Sequence, residues 1–350
     1  MYRHFFQFLN AHEKNLYNVI FEGAKKYQKK FNVPLQNVDI TKVKRALISD
    51  CPELYFIDND AMHYTSDSIW FDNDFCYSYD QMKKYELELE KIVSNIKGRI
   101  DKTMNAFEVE LLIYNYIMDS TVFMEKYVDN YQHGVKEYII WEYHTLIGPL
   151  LHGKGICNGI TRAMQYLLLR AGFEVVYIEG QSTKGATRYE KSLPDNHAWV
   201  IVKVGRDYYH LDVSHSVYDK MTFLNNNIEH LSYKYFNLSD KDIAKTHFYD
   251  TDRYKNPICS ETKYNYFVYN NIFFQEEQSL YNYLKTVIVR GIANERDIMI
   301  YIKHSENISP NRIRNIIMSI IYEATGKMSV SAALTSGENI FTAYIPNQFE

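Results

Sequence analysis

Cysteine, histidine and aspartate are the residue types in this 350-residue chain that could do covalent chemistry together, and three stretches present them in order. The first is GKGICNGITRAMQYLLLRAG, from Gly153 to Gly172, with Cys157 near its start. Ile160, Met164, Leu167, Leu168 and Ala171 recur at helical spacing after it, and Gly172 stands where a left-handed residue would close a helix. A helix starting near Cys157 turns its unpaired N–H groups and positive dipole end toward the thiol, which favours thiolate, the nucleophilic form. Gly153 and Gly155 allow a tight approach to that helix, and Gly159 leaves space for a substrate backbone beside the sulfur. Taken alone, Cys157 reads as a buried small apolar residue. The next eighty residues change that reading.

A thiol nucleophile needs a general base, and the base needs a group that fixes its tautomer and stabilises its cation. NHAWVIVKV (Asn196 to Val204) and DYYHLDVS (Asp207 to Ser214) each alternate as a strand does, around a Gly205-Arg206 turn. If the loop has two or four residues, paired positions sum to 411, His197 faces Ser214, and Asp212 is its same-face diagonal neighbour. That diagonal spans roughly 7–8 Å between Cα atoms, within reach of an imidazole–carboxylate hydrogen bond. A loop of three would place the two on opposite faces.

A helix opening GxCxG, a strand opening HAW and a strand ending YHLDVS, in that order, resemble the transglutaminase-like superfamily. The likeness is best from about Phe107 to Tyr249, and a weaker one to bacterial members extends upstream through ISDCPELYFID. It implies a papain-like fold with Cys157 as nucleophile, His197 as general base and acid, and Asp212 as the orienting carboxylate. Such proteins include protein-glutamine crosslinkers, deamidating enzymes, peptidases and members that have lost activity. Two positions depart from the pattern: Ile160 stands where relatives often carry an aromatic residue, and Ser214-His215 follow Asp212-Val213 where they often continue DVTWD. Both sit where substrate contacts are expected.

Those motifs need elements to carry them. The chain begins with an amphipathic helix lined by Leu16, Val19, Ile20, Ala24, Tyr27 and Phe31 and ended by Pro34, then a helix from near Thr41. YFID and HYTSDSIWFD read as strands, with Trp70 as a core anchor. A long helix spans Ser78 to Ile100, its Glu and Lys residues forming a solvated face, and another spans about Ala106 to Met118. Between Ser120 and Leu151 the signals weaken. There His133, Trp141, Tyr143 and His144 precede the nucleophile. An acyl-transfer site needs a second oxyanion donor beside the Cys157 backbone N–H, and Trp141 and His144 are the side-chain candidates; the alternative is that both simply pack under the loop. Asn158, Gly159 and Trp199 complete the cleft candidates.

EVVYIEG reads as a strand, and the polar QSTKGATRYEKSLPD after it reads either as a specificity loop at the cleft rim or as bland surface. His210, Asp212 and His215 suggest zinc, but no HxxxH helix or Cys pair supports it and Asp212 has a better role, so no metal and no cofactor are expected. Ser239, with Asp242 three later, caps a helix start. From Cys259 the order is strand YNYFVYNNIFF, helix QSLYNYLKTVIV, strand DIMIYIK, helix Pro310 to Thr325 and a strand pair around VSAAL and IFTAYIP.

A net charge of -4 and 46% hydrophobic content give no basic field for nucleic acid, and the 32 tyrosines read as compositional bias. Neither a signal peptide nor an apolar run of membrane-spanning length is seen, so a cytoplasmic location is expected, with leaderless export left open. Cys51, Cys76, Cys157 and Cys259 lack CxxC spacing and read as free thiols. The expected architecture is α+β: an N-terminal accessory region (1–104), a papain-like, transglutaminase-like core (105–255) and a small α+β C-terminal domain (256–350). The expected chemistry is acyl transfer on a protein or peptide substrate, resolved by water in peptide or amide hydrolysis. Amine transfer (crosslinking) and a non-catalytic protein-binding module on the same fold are the alternatives.

Overall fold

A computed structural model describes residues 1–57, 62–71, 77–125, 138–183, 195–224, 232–249, 255–327, 333–337 and 339–346. They form two compact units, Met1–Thr262 and Lys263–Glu350. The regions 1–104 and 105–255 therefore share the first unit. Among the described residues no helix is long and apolar enough to cross a membrane.

Helix α1 (Ala11–Ala24) opens with a capping box, Asn10 and Glu13 each bonding the other's backbone N–H, and buries Leu16, Tyr17 and Ile20. It stops short of the Phe31 that the apolar pattern includes. Tyr27 is left-handed at φ 61°, and the bonds Gln28 N–H to Gly23 O and Tyr27 N–H to Ala24 O make a Schellman-type end. Phe31 lies instead in β1 (Lys30–Asn32) and packs its ring on Gly23, where a Cβ would fall 2.2 Å from it.

Helix α2 (Ile40–Asp50) follows. The expected YFID strand is absent over Tyr55–Ile57, because Leu54 N–H bonds Cys51 O and Ile57 N–H bonds Leu54 O, coiling the backbone into turns. β2 (Met62–Tyr64) and β3 (Ser68–Phe71) form a hairpin on β1. Trp70 is not a core anchor. Strand alternation sends Ile69 and Phe71 inward, leaving Trp70 partly exposed and stacked on His63.

Helices α3 (Tyr79–Arg99) and α4 (Ala106–Ser120) each start with a capping box and follow the expected spans. β4 (Val122–Phe123) pairs with β5 (Lys154–Gly155). Where sequence signals weaken, α5 (Tyr138–His144) and α6 (Ile147–His152) lead to that strand. Then comes α7 (Cys157–Arg170), which buries Ile160, Met164, Leu167 and Leu168 as its periodicity requires and ends before Gly172 at φ 95°. It packs on a fully antiparallel sheet of β6 (Val175–Ser182), β7 (Asp195–Val204), β8 (Asp207–Leu211) and β9 (His247–Phe248), in the order β8-β7-β6-β9. α8 (Val213–Leu224) and the short α9 (Asp240–Ile243), capped by Ser239, complete the unit.

The second unit is α+β. The expected strand YNYFVYNNIFF is mostly a helical turn, α10 (Tyr266–Tyr269), because Asn265 caps the Phe267 N–H and Phe267 turns into the interior. Only β10 (Phe273–Phe274) of it is extended. α11 (Glu277–Ala293), β11 (Ile298–His304), α12 (Pro310–Thr325), β12 (Ala333–Gly337) and β13 (Ile340–Ile345) follow. The sheet order is β10-β11-β13-β12, and one face packs Leu284, Ile288, Ile300, Ile302, Ile317 and Ile321 into a dry core.

Candidate active site

Cys157 is the first residue of α7, behind an extended Ile156 that offers no side-chain cap. The N–H groups of Cys157 and Asn158 at the helix start, and of Ala198 on β7, face its sulfur. One turn on, Thr161 donates its hydroxyl to the Ala198 carbonyl at 2.9 Å. Helix and strand are thus tied at both polar groups of the residue after His197.

β7 and β8 pair with Val200 opposite Leu211 and Val204 opposite Asp207, around a two-residue turn. Gly205 takes φ 67°, as the first residue of a type II′ turn must. This even-loop register puts His197 and Asp212 on one face, with His197 Nε2 2.7 Å from Asp212 Oδ2. Ser214 does not face His197 in the ladder, because β8 ends at Leu211 and α8 begins at Val213. Instead Asp212 Oδ1 accepts the Ser214 hydroxyl at 2.8 Å and the His215 N–H at 3.1 Å, as a helix N-cap does. The diagonal repeats one step along: Trp199 Nε1 donates to His210 Nδ1 at 3.0 Å. His210 Nε2 therefore carries the proton and donates to Asp240 Oδ1 at 2.9 Å.

Two more imidazoles reach Asp212 Oδ2: His215 Nδ1 at 2.5 Å and His247 Nε2 at 3.0 Å. Sequence reasoning weighed His215 as a ligand beside His210 and Asp212, but it is His247, not His210, that joins it. His247 carries no local signal; only the β9 pairing with β6 brings it in. His133 lies outside the described residues, as does most of the expected specificity loop (184–194).

Burial opposes the charge of Asp212, yet the imidazoles of His197 and His215 hold its carboxyl well below the usual range. Burial pushes His197 down to about 4, against the pull of Asp212. Cys157 is partly open at its surface, but its sulfur lies deep enough that burial pushes the thiol up to about 12, opposed by the Asn158 N–H and aided by the Asp212 charge. Burial thus favours the neutral form of both the thiol and the imidazole. The thiolate bias expected from the helix N-terminus is outweighed by desolvation.

No family model and no curated protein matches this chain. Its solved structural neighbours include a TGase, with a TM-score of 0.33 and 10% identity over 53% of this chain and 49% of that one. Another is a candidate cysteine protease from Cytophaga hutchinsonii, with a TM-score of 0.27 and 14% identity over 39% of this chain and 43% of that one. The match spans less than half the length of either neighbour.

The remaining cleft candidates divide. Trp141 Nε1 donates to the Tyr55 carbonyl at 3.2 Å, so that hydrogen is not available to an oxyanion. His144 is largely buried, and burial pushes it down to about 4, leaving it neutral. Both line a cavity of about 260 Å³ shared with Asn158, Arg162, Tyr177 and Glu179. Asn158 belongs to that wall, its Oδ1 accepting the Tyr177 hydroxyl at 3.1 Å. Gly159 makes room for the protein's own backbone rather than for substrate: a Cβ there would fall 2.2 Å from the Tyr143 carbonyl oxygen and 2.8 Å from that of Thr145. Trp199 is fully buried beneath His197, rings stacked at 6.1 Å, and lines no cleft.

Proposed function

We propose that this protein is a thiol-dependent acyl-transfer enzyme that hydrolyses peptide or amide bonds of a protein or peptide substrate, with Cys157 as nucleophile, His197 as base and acid, and Asp212 as the orienting carboxylate. One observation carries the reading: His197 spends Nε2 on a buried Asp212, at 2.7 Å, while its strand neighbour Ala198 is tied to the helix start that holds Cys157. Nδ1 is then the nitrogen that exchanges a proton with the thiol.

With burial favouring the neutral thiol and imidazole, Nδ1 takes the thiol proton as sulfur attacks the carbonyl carbon. The S–C bond forms and the carbonyl π pair moves to oxygen, facing the N–H groups of Cys157 and Asn158 at the helix start. His197 passes its proton to the departing nitrogen as the C–N bond breaks. Water then attacks the thioester, giving a proton to Nδ1 and releasing acid and thiol. Asp212 stays ionised and fixes the imidazole tautomer.

The test is a pre-steady-state burst of chromophore from an activated ester on metal-free protein, with mass spectrometry locating the adduct. One equivalent of acyl group on Cys157, absent in Cys157→Ala and slowed at least 100-fold in His197→Ala, supports the proposal. An adduct that forms equally fast in His197→Ala, or elsewhere than Cys157, refutes it.

A further inference from the structure

Asp212 is surrounded in a way that orienting one catalytic imidazole does not require. His197 Nε2, His215 Nδ1 and His247 Nε2 stand 2.7, 2.5 and 3.0 Å from the single oxygen Oδ2. All four donor atoms lie within 4.8 Å of one another. Oδ1 is already occupied by the Ser214 hydroxyl and the His215 N–H. Five donors therefore compete for a carboxylate with about four lone-pair sites, three of them on one oxygen that has two.

We propose that His197, Asp212, His215 and His247 form a closed tetrahedral site for a zinc-class divalent cation, and that filling it switches off the thiol site. Three imidazole nitrogens and one carboxylate oxygen are a zinc donor set. They come from β7, the start of α8 and β9, so one cation would join three separate elements. Zinc–ligand bonds of about 2.0–2.1 Å put tetrahedral ligand atoms roughly 3.3 Å apart, so each nitrogen has to back away from Oδ2 by less than its own radius. The set is closed: the four side chains are 8, 0, 6 and 0% exposed in the order named, leaving no open coordination position. Its outer contacts are also in place. The Thr246 hydroxyl sits 2.8 Å from His247 Nδ1, and Ser214 holds the far carboxylate oxygen. Tyr235 and Trp199 wall the imidazoles, with ring centroids 5.3 and 4.9 Å from that of His247.

The switch follows from tautomer arithmetic and rests on the acyl-transfer reading; the cation site itself does not. Without metal, His197 Nε2 carries the hydrogen that Asp212 accepts, and Nδ1 offers a lone pair to the thiol. With Nε2 bound to a cation, the neutral ring must carry its hydrogen on Nδ1. His197 can then no longer accept the Cys157 proton.

The experiment uses the full chain, stripped with a chelator and titrated with zinc chloride against a competing dye, with bound metal counted by elemental analysis. One zinc per chain is expected, retained in Cys157→Ala and weakened at least 100-fold in both His215→Ala and His247→Ala. Cobalt(II) in the unmutated protein should give tetrahedral ligand-field bands without a thiolate charge-transfer band, a readout that does not depend on either variant folding. Absence of stoichiometric binding overturns the proposal, as does a thiolate band or loss of the metal in Cys157→Ala. In the loaded protein the ester burst at Cys157 should disappear; an undiminished burst with zinc bound overturns the switch. Zinc binding with no Cys157 adduct in stripped protein would sink the acyl-transfer reading alone, and an adduct without zinc binding would sink this one alone.

Discussion

Glu110 offers the cleanest quantitative test of how the site is supported. It is fully buried on α4, and its Oε2 accepts from Asn237 Nδ2 at 2.7 Å. Asn237 belongs to the segment whose Tyr235 carbonyl accepts the Asp212 N–H and whose Leu238 pairs with His210, so this contact anchors the strand end that carries the carboxylate. Burial raises the Glu110 pKa from 4.5 to about 8, only partly offset by the Asn237 bond. Glu110 Oε1 and Asn237 Oδ1 have no hydrogen-bond partner among the described residues, as suits a carboxyl kept neutral. The sign follows from linkage. An acid whose folded pKa lies above its unfolded value stabilises the fold fully below pH 4.5 and loses that contribution as pH rises toward 8. At 1.36 kcal/mol per pKa unit, the full loss is about 5 kcal/mol, of which about 3 kcal/mol has gone by pH 7.

Glu110→Gln keeps an oxygen for Asn237 and removes the titration. Urea denaturation of both proteins at pH 5, 7 and 8.5 should show the variant within about 1 kcal/mol of the parent at pH 5 and ahead of it by several kcal/mol at pH 8.5. The difference between the two proteins cancels every other titrating group. A stability difference that stays constant across this range would show that the carboxyl is not held neutral by burial, and would refute the reasoning.

Two further outcomes follow from packing. Gly159→Ala should lower stability by on the order of 3 kcal/mol or prevent folding, since its Cβ would meet the fixed Tyr143 and Thr145 carbonyls; a melting temperature within a degree of the parent would contradict this. Thr161→Val removes the hydroxyl that satisfies the Ala198 carbonyl and should cost about 1–3 kcal/mol while also slowing acylation of Cys157; full burst kinetics in a folded Thr161→Val protein would show that this tie does not position β7.

Much of this was legible locally. The Cys157 helix follows from apolar residues three and four apart and from Gly172, and the hairpin follows from alternation on either side of Gly205, whose two-residue turn fixes which residues share a face. What lay beyond the sequence was whatever depends on distant chain or on desolvation. Tyr27 adopts a left-handed conformation that a tyrosine does not announce, so α1 ends early. The YNYFVYNN segment has strand-like composition, yet the Asn265 cap coils it. His247 stands 35 residues from Asp212 and reaches it only through sheet pairing. The charge state of Cys157 could not be read from a helix N-terminus alone, because the burial that opposes it is set by the whole fold.

The stacking of Trp199 under His197 gives the molecule an optical probe of its own. Of its three tryptophans, Trp70 is partly exposed, Trp141 borders a cavity, and Trp199 alone is sealed from solvent against imidazole rings. Protonated imidazole quenches indole emission, whereas a dry, hydrogen-bonded indole emits toward the blue. The blue edge of this protein's fluorescence therefore follows, without any label, the imidazoles that contact Trp199, those of His197, His210 and His247.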